Sequence, residues 1–95
     1  MVKDGSTKEK LKECLHPTNP AQKAMVEAPV VFALCGRLGN SGFYKGVVTT
    51  KFGDWFMFDL GIAAQSLCLA AYELGLGTVI VGLLDHEKTK RVLEV

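Results

Sequence analysis

The chain has 95 residues, 48% of them hydrophobic, and a formal net charge of +1. That length admits one domain at most, and so small a charge gives no electrostatic argument for a nucleic-acid or membrane-surface partner. The mean hydropathy of +0.21 is apolar for a small unit, whose high surface-to-volume ratio demands proportionally more polar cover. Either the chain buries a large apolar face against a partner, or part of its own domain lies outside these residues.

The first helix is signalled by Ser6-Thr7-Lys8-Glu9, which has the form of a capping box, followed by Leu11, Cys14 and Leu15 at helical spacing. It is predicted over Thr7 to Leu15 and stops before Pro17. Asn19-Pro20-Ala21-Gln22 repeats the start signal, with proline suited to the first helical position. Pro29 disfavours helical geometry at Ala28, so this second helix ends near Glu27. No signal peptide is read, because Met1 is followed by the polar stretch Val2 to Lys12.

Val30 to Cys35 is a continuous apolar run rich in β-branched residues and reads as a strand buried on both faces. Gly36 to Gly53 holds glycines 36, 39, 42, 46 and 53 and reads as a long mobile loop, with a short extended piece at Val47 to Thr50. Phe56 to Leu74 is a helix that is apolar nearly all round, hence a buried one. Ala63, Ala64, Ala70 and Ala71 permit close backbone approach on it. Its uncharged run, Leu60 to Tyr72, is too short to span a bilayer, which takes about 20 residues.

Gly75 is placed to terminate that helix in the left-handed conformation. Thr78 to Val81 reads as a second short buried strand, broken by Gly82. Asp85 caps a last helix from His86, which runs to Val95 without a glycine or proline stop.

Motifs for protein-based chemistry are sparse. Gly36-Arg37-Leu38-Gly39-Asn40-Ser41-Gly42 is glycine-rich but is neither GxGxxG nor a P-loop, and no helix start follows it directly. Cys14, Cys35 and Cys68 are odd in number and contain no CxxC pair, so they read as reduced structural thiols in a cytoplasmic setting. Cys14 and His16 lack a second cluster to complete a metal site. His16 and His86 have no nucleophile or carboxylate partner suggested nearby. Asp59 and Glu73 are separated by fourteen helical residues, about 21 Å, and so cannot share one reacting centre. Trp55, Phe56 and Phe58 read as packing for the helix start. A chain without a catalytic side-chain constellation is compatible with an enzyme whose cofactor performs the chemistry.

Three stretches in order resemble one known family. Phe58-Asp59-Leu60-Gly61-Ile62-Ala63-Ala64-Gln65-Ser66-Leu67-Cys68-Leu69-Ala70-Ala71 is similar to the central-helix signature of the nitroreductase family. It runs into Leu74-Gly75-Leu76-Gly77-Thr78, similar to that family's LGLGT element, and Glu27-Ala28-Pro29-Val30-Val31 resembles its element of Ala-Pro followed by an apolar strand. The resemblance covers nearly the whole chain. It implies an α+β fold, in three layers α/β/α with an antiparallel central sheet, of which residues 1–95 form an incomplete portion. It implies a homodimer joined through helix 56–74, with FMN at the subunit interface. NAD(P)H would be the co-substrate and a nitroaromatic, quinone or similar small molecule the acceptor of two electrons.

On the same resemblance, Ile80, Val81, Gly82 and Leu83 form the turn whose backbone approaches the flavin ring. Some members carry a glutamate where this chain has Gly82, which leaves main-chain contacts alone here. Phe43 and Tyr44 are candidate substrate contacts within the loop. The family's Arg-Ser-Arg segment and its C-terminal basic residue, which hold the FMN phosphate, find no counterpart. The competing expectations are a non-catalytic interaction module that keeps the dimerisation helix without flavin, and a small nucleotide-binding module using Gly36 to Gly42.

Overall fold

The computed structural model describes residues 1–95, which divide into two compact units: Met1–Ala33 with Val79–Val95, and Leu34–Thr78. The elements in chain order are α1 (Gly5–Lys12), α2 (Gln22–Glu27), β1 (Phe43–Tyr44), β2 (Val47–Val48), α3 (Phe56–Glu73) and α4 (His86–Leu93). Helices plus one two-stranded antiparallel sheet make the class α+β.

In the first unit, α1 begins two residues earlier than the Ser6 signal predicts. Asp4 caps it: one carboxylate oxygen accepts the Thr7 N–H at 2.7 Å and the Thr7 hydroxyl at 2.8 Å. An ionised oxygen is a stronger acceptor than a serine hydroxyl, so it takes the cap. The helix also stops at Lys12, short of Leu15. Cys14 and Leu15 tighten into turns, donating to Leu11 at 2.9 Å and Lys12 at 3.1 Å, which frees Leu15 to bridge Leu84.

The second helix starts at Gln22, past Pro20, with Asn19 Oδ1 accepting the Ala21 N–H at 2.9 Å. It ends at Glu27, where Pro29 forces Ala28 to ψ 132°. Lys8 reaches across from α1, and its ammonium donates to the Ala28 carbonyl at 2.9 Å. A cation there complements the negative end of α2.

Leu11, Leu15, Ala21 and Met25 form the buried core of this unit, with Val2, Val31, Val81, Val92 and Leu93 packed against it. Cys14 is buried beside them, its thiol 3.3 Å from the Lys10 carbonyl. The fourth helix is capped by Asp85, as its sequence predicts, with the carboxylate accepting the Lys88 N–H at 2.9 Å. It does have a stop signal, made without glycine. Glu94 adopts φ 57°, and Val95 and Glu94 donate back to Lys90 and Arg91 at 3.1 and 3.4 Å.

Neither predicted buried strand forms. In Val30 to Cys35 only Val31 pairs, through a bridge to Val2, and Phe32 and Leu34 are exposed. Thr78 to Val81 makes no ladder, and Val79 and Ile80 are exposed. Apolar, β-branched stretches become strands only where neighbouring backbones complete the ladder, and here each lacks them.

The second unit holds the hairpin and α3. Phe43 pairs with Val48 and Tyr44 with Val47. Lys45 and Gly46 form the two-residue turn, both at positive φ (49° and 78°), as a hairpin of the right twist requires. The predicted loop over Gly36 to Gly53 is therefore cross-linked. Thr49 donates its N–H and hydroxyl to the Gly42 carbonyl at 2.8 and 3.0 Å, and the Thr50 hydroxyl bonds the Gly53 carbonyl.

The third helix closes with Gly75 at φ 76°. Leu76 and Gly75 donate to Ala71 and Tyr72, each at 2.9 Å, in the two-bond Schellman pattern. No residue of this helix is buried, against the expectation of a buried one. Its alanines and leucines supply an apolar surface, but this chain brings nothing to cover all sides of it.

Candidate functional site

The second unit contains a cleft of about 200 Å³ between residues 35–41 and the first two turns of α3. Phe56, Leu60 and Ala63 share one face of the helix and form its apolar side; Arg37, Asn40, Ser41 and Asp59 supply polar groups. Gly36 sits so close to the helix that a Cβ on it would lie 3.1 Å from the Phe56 ring and 3.2 Å from a Leu60 methyl. A larger residue there would require those side chains to shift by a few tenths of an ångström.

Asp54 fixes the other end of this segment. One of its oxygens accepts the Gly39 N–H at 2.7 Å and the other the Phe56 N–H at 3.1 Å. The Trp55 N–H bonds the Ser41 carbonyl at 3.1 Å. The first of these bonds weighs against the phosphate-cradle reading of Gly36 to Gly42. Within that segment the Gly39 amide already holds a carboxylate, whose charge would repel a phosphate beside it. Trp55 packs edge-on against Phe58, ring centroids 5.3 Å apart, in agreement with its reading as packing at the helix start.

The sequence-derived site residues fall in different units. Phe43 and Tyr44 lie together on β1, Phe43 half-buried and Tyr44 exposed, with the Lys45 ammonium 5.5 Å from the Tyr44 ring centre. Ile80, Val81, Gly82 and Leu83 belong to the first unit. Val81 packs on its core, whereas Ile80 and Leu83 are exposed. The Leu83 carbonyl is anchored by the His16 N–H at 3.3 Å and by Asn19 Nδ2 at 3.1 Å. The N–H groups of residues 80–83 donate to nothing within the chain, and the space a Gly82 side chain would take is open.

The segment therefore presents free main-chain donors. Of the cations that follow it, Lys88 meets the Glu13 carbonyl at 3.0 Å and its carboxylate at 3.7 Å and Lys90 meets Glu87 at 3.5 Å, while Arg91 has no ion-pair partner. Neither this chain's cleft nor the shallow hollow along α2 includes residues 80–83.

Sequence reasoning missed the cleft. Arg37, Asn40 and Ser41 are separated from Asp59 by the hairpin, and only the glycine at position 36 hints that the loop packs on the helix.

The fold class is α+β. Residues 3–95 match the model of the nitroreductase family. The chain belongs to that family, and its general role is that of an oxidoreductase. No curated protein and no solved structure matches it. No helix is long and apolar enough to cross a membrane.

Proposed function

We propose that this chain forms part of an FMN-dependent oxidoreductase that passes two electrons from NAD(P)H to a nitroaromatic, quinone or similar small acceptor. The observation that carries this reading is the unpaired main-chain edge at Ile80–Leu83, in a chain whose residues 3–95 match the family. When bound, the flavin supplies the electron transfer itself. Gly82 lets the backbone approach the ring, and the anchored Leu83 carbonyl holds that backbone in place. The exposed Ile80 and Leu83 side chains exclude water along the ring edge. Phe43 and Tyr44 are proposed to contact the acceptor.

The same reading gives α3 its partner. Phe58, Ile62, Leu69 and Tyr72 lie along one helical stripe and are 53–81% exposed. Covering each such side chain contributes about 1.5–3 kcal/mol. A second copy of the chain, packed along this stripe, is the proposed cover, within the three-layer α/β/α arrangement of the family.

Amide spectra of the labelled chain during titration with millimolar FMN test the proposal. Shifts centred on residues 80–83 are expected. Their absence, in a chain that still self-associates, would favour the interaction module without flavin.

A further inference from the structure

We draw no further inference here: the strongest candidate, the surface patch on the β1–β2 hairpin and the turn after it, where Tyr44, Val47 and Phe52 stand exposed beside Lys45 and Lys51, carries nothing because nothing in the structure shows what covers it.

Discussion

The Gly39 amide donates to the Asp54 carboxylate at 2.7 Å, and this one contact ties a glycine-rich segment to the start of an 18-residue helix. The second Asp54 oxygen accepts from Phe56 at 3.1 Å, so a single side chain both caps α3 and fixes the loop beside it. Asp54→Ala should destabilise this unit by about 1–2 kcal/mol and abolish protection of the Gly39 amide in hydrogen exchange. Unchanged exchange at Gly39 would show that the loop is held by other means.

Lys8 does comparable work in the first unit. It is only 8% exposed, and its ammonium meets the Ala28 carbonyl at 2.9 Å. Lys8→Met keeps the apolar stem and removes the charged donor. A loss of about 1.5–3 kcal/mol is expected, measured by denaturant unfolding followed by helix signal. The effect should exceed that of Lys23→Met, whose ion pair with Glu27 at 3.8 Å is open to solvent.

Asp4 gives the chain an acid-sensitive cap. The Thr7 N–H, and after it the Thr7 hydroxyl, holds its carboxyl below the ordinary value of 3.8. A carboxyl depressed on folding contributes stability above its unfolded pKa and loses it as the pH falls through the lower folded value. The stability difference between the chain and Asp4→Ala should therefore be full at neutral pH. It should shrink only once the pH drops below about 3.8. Thermal unfolding of both proteins across that range checks the sign; a difference that grows with acidification would contradict it.

The exposed stripe on α3 permits a clean test of association. Ile62 and Leu69 are 53% and 59% exposed, so charging them leaves the fold of the single chain intact. Ile62→Glu or Leu69→Glu should shift sedimentation from dimer to monomer, with circular dichroism unchanged, because a buried unpaired charge is strongly unfavourable. Ala64→Arg and Ala71→Arg should do likewise, but both residues are half-buried and so also report on packing within the unit. Unaltered dimers in all four variants would remove α3 from the interface.

The elements legible in the sequence were those whose signals are local. Asp85 as a cap, Gly75 as a helix stop and Pro29 as a boundary depend on a few neighbouring residues, and each appears where it was read. The start of α1 was misplaced by two residues because Ser6 and Asp4 are competing caps, and charge decided between them. The strands at Val30–Cys35 and Thr78–Val81 failed for another reason. Their composition is right, but a strand is completed by distant backbone, and composition says nothing of that. The cleft was invisible for the same cause: Arg37 and Asp59 line one cleft only because Gly36 and Asp54 bring the loop against α3.

On the proposed function, this chain offers a flavin ring-edge contacts at Ile80–Leu83 without the family's phosphate-holding segments. Each hydrogen bond to a charged group contributes about 1.5–3 kcal/mol, so two or three absent ones weaken binding by roughly two to six orders of magnitude. Lys88 and Lys90 form only exposed pairs with Glu13 and Glu87 and lie on α4. Titration of the purified 95-residue chain with FMN, followed by flavin fluorescence, measures this directly. Binding weaker than micromolar is expected; micromolar or tighter binding would mean that Arg37, Lys45, Lys88 or Arg91 holds the phosphate, and would contradict this.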